Sequence, residues 1–95
     1  MRAIEYSSAF RRDYKRLKAT ARYRDDLDAL LTAVLELLVD DKSLPDSNRD
    51  HALKGDWADY RECHVKPDLL LIYRKPYEGS TLRLARLGSH SELFR

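Results

Sequence analysis

The chain has one cysteine, Cys63, and a lone thiol forms no internal bridge. Nothing in the sequence therefore demands an oxidising compartment. Glycine is scarce too, with three residues. Gly55, Gly79 and Gly88 stand alone and read as turn residues, so no glycine-rich loop exists to cradle a phosphate. No apolar run approaches the roughly 20 residues that span a bilayer, and the first residues, MRAIEYSSAF, hold no apolar signal core. The expectation is a cytoplasmic protein with no membrane partner. Histidine pairs at i, i+4 and C-x-x-C pairs are also missing, and with them the strong zinc signals. Internal repeats and low-complexity tracts are absent.

What remains is a charged chain of 95 residues, 43% apolar and 36% charged. That length predicts one domain over 1–95, with a modest core that needs neither disulfide nor metal to fold. The net charge of +2 hides an asymmetry. Residues 1–24 carry eight Lys/Arg against two Asp/Glu, residues 25–50 carry two against eight, and residues 51–95 carry eight against six. A basic first third suits a polyanion such as RNA. A merely solvated helix face is the other reading.

Arg2 to Tyr6 alternates weakly and predicts a first strand. Ser7 or Ser8 then caps a helix over about Ala9 to Lys18, whose apolar stripe is Phe10, Tyr14 and Leu17. Arg11, Arg12, Lys15, Arg16 and Lys18 fill the rest of that wheel. After a break at Ala19–Ala21, Leu27, Leu30, Leu31, Val34, Leu37 and Leu38 predict a longer helix from about Tyr23 to Val39. Asp25, Asp26 and Asp28 suit the positive end of its dipole.

Asp40 to Arg49 is polar loop material, and His51 to Gly55 offers a short edge strand. Asp59 to Val65 alternates, with Tyr60, Glu62 and His64 on one face and Arg61, Cys63 and Val65 on the other. Lys66-Pro67-Asp68 turns the chain. Leu69 to Tyr73 is apolar throughout, as in a central strand buried on both faces. Pro76 to Ser80 turns again. Thr81 to Leu87 is a further strand with Leu82, Leu84 and Arg86 on one face, and His90 to Phe94 is a short helical stub. The fold class is α+β: β-α-α followed by an antiparallel β meander.

The chain's histidines, His51, His64 and His90, all sit beside turn material, and histidine is the side chain best matched to proton transfer near neutral pH. His64 and Asp68 flank one tight turn, which offers to bring an imidazole and a carboxylate together. The same residues could hold Zn²⁺, although their spacing carries no zinc signature. Cys63 faces away from His64 and reads as a small apolar residue. Arg61 and Arg86 are candidates for phosphate contact. Trp57 and Phe94 could stack on a base, with Trp57 also suited to anchor the core.

The run D-H-x-L-x-G-x-W-x-x-x-R-E-x-H-V-x-P-D-L-L-L-I-Y, from Asp50 to Tyr73, and R-L-G-S-H-S-E-L-F, from Arg86 to Phe94, carry more than composition. They closely resemble the YafQ-type toxins of the RelE/ParE superfamily of bacterial toxin–antitoxin systems. The early I-E-Y-S and the helix order also match, so the resemblance spans the chain. It implies a small RelE-like domain and an endoribonuclease that cuts messenger RNA in the ribosomal A site. It also implies neutralisation by a DNA-binding, ribbon-helix-helix antitoxin of the DinJ kind. The catalytic roles would fall to His51, His64, Asp68 and His90, with Arg86 and Phe94 in support. Leu69 stands where the best-known member has tryptophan, which bears on a stacking contact there and not on the acid–base set. RNA supplies its own nucleophile, the 2′-OH, so no cofactor or metal is implied. Two other readings remain: a ParE-like binder of DNA gyrase, and an inactive relic kept as an antitoxin partner.

Overall fold

The structure is a computed structural model that describes residues 1–76 and 79–94. The first alternating stretch forms β1 (Ala3–Tyr6). Ser7 caps α1 (Ser8–Lys18), its hydroxyl accepting from the Phe10 amide at 2.9 Å. Phe10 and Leu17 are buried and Tyr14 is half-buried, as the stripe predicts. Asp13, between them, is buried too.

The expected second helix is two pieces, α2 (Ala21–Arg24) and α3 (Leu27–Val39). The break lets the Tyr23 ring turn inward and its hydroxyl donate to Asp68 at 3.0 Å, while Asp26 pairs with Lys66 at 3.0 Å. These tertiary partners outweigh the small propensity gain of a continuous helix.

A 3₁₀ turn at Asp46–Asn48 leads to β2 (His51–Ala52), and another at Gly55–Trp57 leads to β3 (Arg61–Lys66). Strands β4 (Leu69–Arg74) and β5 (Thr81–Gly88) follow, and α4 (His90–Leu93) is the last described element. The expected turn over Pro76–Ser80 includes Tyr77 and Glu78, which lie outside the described residues.

The five strands form one sheet in the order β1-β5-β4-β3-β2. Strands β2 to β5 are an antiparallel meander, and β1 joins parallel to β5 after the helical crossover. Leu69 to Tyr73 occupies the middle strand and is buried at every position. Leu71 and Tyr73 pack with Phe10, Leu17, Leu27 and Leu31 under the helices. Leu70 and Ile72 face the other way, into a smaller cluster with Ala85 and Leu93, flanked by Leu53, Trp57, Tyr60 and Phe94.

Two details differ from the alternation pattern. Between Tyr73↔Leu84 and Ile72↔Arg86 the β4–β5 register gains one residue, Ala85. This bulge takes Arg86 off the Leu82–Leu84 face and sets it beside Ile72. Gly88 is not in a turn but ends β5, where α4 folds back. A Cβ there would stand 3.1 Å from a Glu92 carboxylate oxygen and 3.3 Å from a Leu93 methyl.

The charge asymmetry partly cancels in space, because Lys18 pairs with Asp28, Lys66 with Asp26, and Arg2 and Lys75 both with Asp41. Among the described residues no helix is long and apolar enough to cross a membrane.

Candidate active site

The sheet face away from the helices carries the candidate site residues His51, His64 and Arg86, and strand register sets them out in rows. His51, Glu62, Ile72 and Arg86 form one row across β2, β3, β4 and β5. His64, Leu70 and Gly88 form the next. Strands lie about 4.8 Å apart, so the first row spans about 15 Å. His90 begins α4 just beyond Gly88, at the His64 end of the sheet.

Glu62 is the buried carboxylate of this face. Its Oε1 lies 3.8 Å from His51 Nε2 and 3.6 Å from His64 Nε2. The opposite ring nitrogens have other partners: His51 Nδ1 is 2.8 Å from the Arg49 carbonyl, and His64 Nδ1 is 3.2 Å from the Pro67 carbonyl. A carbonyl only accepts, so each Nδ1 carries its hydrogen and donates. Each neutral ring therefore points a bare Nε2 at Glu62, and only a protonated ring offers it an N–H. The geometry gathers a trio of two imidazoles and one carboxylate through contacts of 3.8 and 3.6 Å. Arg49 takes up a left-handed backbone, φ 48°, immediately before this trio, a strained conformation for a residue with a side chain.

Asp68 is placed differently from expectation. No ion pair joins it to His64. Its Oδ2 accepts from the Tyr23 hydroxyl at 3.0 Å and pairs with Arg22. The α2 residues thus claim the carboxylate that sequence adjacency assigned to the imidazole. Burial, then the bond to Asp68, pushes the Tyr23 pKa up and keeps its hydroxyl a donor. Lying in the tight turn between β3 and β4, Asp68 remains at the same end of the sheet as His64.

Arg61 lies on the opposite strand face from His64 and donates to Asp50 through Nε at 3.3 Å and Nη2 at 2.9 Å. Asp50 also accepts from the Tyr73 hydroxyl at 2.5 Å, and burial with that bond raises the Tyr73 pKa. Arg61 therefore fastens the entry to β2 and is not gathered with the histidines. His90 and Phe94 pack their rings together at 5.1 Å between centroids. Trp57 sits edge-on to Tyr60 at 5.1 Å and is half-buried against the small cluster, so it anchors that cluster.

Arg86 forks onto buried Asp13, with Nε to Oδ2 at 2.7 Å and Nη2 to Oδ1 at 3.1 Å. That bond raises the Arg86 pKa further and fixes it as a cation. Asp13 also takes the Leu87 amide at 3.0 Å. It does so where β5 runs beyond its pairing with β1, which ends at Tyr6↔Leu84. Arg16 lies 3.6 Å from Asp13 and 2.6 Å from Glu92, tying α1 to the helix that carries His90.

Sequence reasoning left Glu62 and Asp13 out of the site. For Glu62 a signal existed, since it shares the His64 strand face at i−2. For Asp13 the only hint was a carboxylate beside an apolar stripe. Among the described residues no group of three or more His, Cys, Asp or Glu is arranged to hold a metal ion. A cleft of about 340 Å³, lined by Ser47, Arg49, His64 and Pro67, opens beside the trio. A larger one of about 460 Å³ lies across the molecule, lined by Phe10, Tyr14, Leu31 and Leu35 among others, and holds no histidine.

Residues 2–95 match the family described as "Bacterial toxin of type II toxin-antitoxin system, YafQ". The mRNA interferase toxin YafQ of Escherichia coli (strain K12) is 36% identical over 93 residues, covering 98% of this chain and 96% of that protein. A metal-bound toxin from Helicobacter pylori is 47% identical, superposes with a TM-score of 0.87, and covers 99% of this chain and 100% of that one. The E. coli DinJ–YafQ complex contains a chain 36% identical with a TM-score of 0.81, covering 100% of both chains. Matched over residues 2–95 and 36% identical to that E. coli toxin over nearly its full length, this chain belongs to the YafQ family of toxins from bacterial type II toxin–antitoxin systems.

Proposed function

We propose that this toxin is a ribosome-dependent mRNA endonuclease that uses the RNA's own 2′-OH as nucleophile. The observation that carries the reading is Glu62 held between the Nε2 atoms of His51 and His64, in one row with Arg86. A base takes the 2′-OH proton, O2′ attacks phosphorus, the P–O5′ bond breaks, and an acid protonates the departing O5′. The products are a 2′,3′-cyclic phosphate and a 5′-OH. His51, His64, Asp68 and His90 share the two proton transfers. Arg86 meets the charge that grows on phosphorus. Phe94, packed on His90, offers a ring for a base to stack on, and Arg61 is a more distant phosphate contact. The E. coli relative carries the name mRNA interferase, which supports the substrate class.

No step of this scheme calls for a Lewis acid, so cleavage is metal-independent. The chain acts as one cytoplasmic domain on mRNA in the ribosomal A site. Its antitoxin is a DinJ-like, ribbon-helix-helix protein, in keeping with the DinJ complexes of its relatives. The ParE-like gyrase reading has no observation in its favour, since it leaves the His51–Glu62–His64 trio without a use.

The test is an A-site mRNA on programmed ribosomes carrying a single 2′-deoxynucleotide at the cut position, beside its all-ribose twin. The ribose substrate is cut with the magnesium of the ribosome held constant and transition metals chelated, and the deoxy substrate is not. Efficient cutting of the deoxy strand, or loss of activity on chelation, overturns the scheme. The metal-bound H. pylori relative makes the chelation arm decisive.

A further inference from the structure

Asp13 is an unusual occupant of its place. It falls on the inward stripe of α1 between Phe10 and Leu17 and is 6% exposed. Burying a carboxylate is costly unless donors replace its water, and a buried ion pair often adds no stability over an apolar pair of the same size. Stability alone therefore does not explain the residue.

Its bonds indicate another role. Arg86 engages Asp13 through Nε and Nη2, along one edge of the guanidinium, on both carboxylate oxygens. A guanidinium has five N–H groups in a rigid plane. Two are taken by Asp13, leaving three, of which one on Nη1 and one on Nη2 lie side by side along the terminal edge. Register sets Arg86 in the row of Ile72, Glu62 and His51, and its side chain is 30% exposed. The Leu87 amide bond to Asp13 locks the carboxylate to the backbone beside the arginine it holds. The guanidinium is thus gripped from behind by a group that cannot itself swing.

We propose that Asp13 is a positioning residue for Arg86, fixing the plane of the guanidinium so that its free edge meets a phosphate lying over the open sheet face. The inference rests on the ribonuclease reading and extends it to a residue on the helix layer. A donor held in place before the reaction stabilises developing charge without reorganising, and loss of one such donor costs on the order of a hundredfold in rate. Loss of its aim alone, with the charge retained, costs about tenfold.

The experiment is a double-mutant cycle in single-turnover cleavage on programmed ribosomes. It compares Asp13→Asn, Arg86→Ala and the pair, with thermal melts for each. Asparagine keeps an acceptor for the Leu87 amide but cannot take the two-point fork. Asp13→Asn is expected to lower kcat about tenfold with KM within about twofold, and to cost nothing further in the Arg86→Ala background. An equal loss in both backgrounds overturns the proposal, because Asp13 would then act elsewhere. Undiminished cleavage by Asp13→Asn overturns it as well. Arg86→Lys covers the case of an Asp13 variant that fails to fold. Lysine keeps the charge but has no fixed plane, so full activity in Arg86→Lys also overturns the proposal. Independently of any cleavage, ¹⁵N spectra are expected to show a slowly exchanging Arg86 Nε–H in the wild-type protein. An absent resonance refutes the grip whatever the chain does to RNA. A normal resonance beside an Arg86→Ala variant that cuts at the wild-type rate refutes the role of Arg86 in the ribonuclease reading, and the proposal with it.

Discussion

The two faces of the sheet are built from the same strands to different ends. The helix-covered face is mostly apolar: Leu71, Tyr73, Leu82, Leu84 and Leu87 lie within a few per cent of complete burial beneath α1 and α3. Cys63 joins them, and burial pushes its thiol pKa up to about 12, which makes it inert. Among the described residues the other face carries no α-helix but the single turn of α4. Its apolar centre is four residues, Leu70, Ile72, Ala85 and Leu93, roofed by loop side chains and the last helical turn. Around that centre stand His51, Glu62, His64, His90 and Arg86. One face holds the fold together, and the second gives its positions to imidazoles, a carboxylate and a guanidinium. The central strand is apolar on both sides because it has to support both.

This division sets the first and largest prediction. His90 is exposed and its ring packs on Phe94. His90→Ala is expected to slow cleavage by about 10²–10⁴-fold, about 3–5 kcal/mol of barrier, and to shift stability by no more than about 0.5 kcal/mol. Single-turnover rates and melts on the same samples check it. The reverse experiment is Leu71→Ala beneath the helices. Removing a fully buried leucine costs about 2–5 kcal/mol, and each kcal/mol is worth about 4–8 °C in a domain this size. The rate per folded molecule should stay near wild type. If His90→Ala melts the protein, or Leu71→Ala cripples the folded enzyme, the two faces are not separable.

The helix-covered face was largely legible in the sequence. Strict helical spacing and an unbroken apolar strand are local signals, and they located α1, α3 and β4. What stayed hidden depended on distant partners. The break between α2 and α3 follows from Tyr23 reaching Asp68, 45 residues away. The bulge at Ala85 changes the face of Arg86 by one residue of register, which alternation cannot reveal. Alternation did put Glu62 on the face of His64. The missing fact was that His51 pairs opposite Glu62 across the connection from β2 to β3. Asp68 and His64 are close in sequence, but Arg22 and Tyr23 occupy the carboxylate first.

Glu62→Gln sharpens the comparison within the open face. A glutamine amide offers an N–H to the bare Nε2 of a neutral imidazole and so ties up the lone pair that accepts a proton. It also withdraws the negative charge that supports a protonated ring. On the ribonuclease reading both changes touch the chemical step and leave the rest of the open face intact. The expected result is a fall in kcat of about ten- to hundredfold with little change in KM. A Glu62→Gln enzyme cutting at the wild-type rate removes the trio from the mechanism and leaves Glu62 a packing residue.

The smallest effect lies on the helix side, where charge serves only to fasten the chain. Asp41 Oδ1 accepts from Lys75 Nζ and Arg2 Nε, each at 2.8 Å. The Lys75 bond first, and the Arg2 bond second, hold the Asp41 pKa down from 3.8 to about 2. A carboxylate whose pKa is lower folded than unfolded stabilises the fold above the unfolded value. That contribution is fully present above about pH 4 and is lost as the pH falls towards 2. Asp41 is exposed, so water and salt screen the pair and the gain is small. Asp41→Asn is a clean test, because asparagine tolerates the left-handed backbone at this position, φ 56°. The variant should melt slightly below wild type at pH 7, the gap should close between pH 4 and pH 2, and 1 M salt should narrow it at neutral pH. A gap that ignores both pH and salt would mean that Asp41 contributes through its turn geometry and not through its charge. Cleavage should be untouched throughout, since neither partner of Asp41 reaches the histidine face. A change in rate would show that the fastening on one side of the sheet is felt on the other.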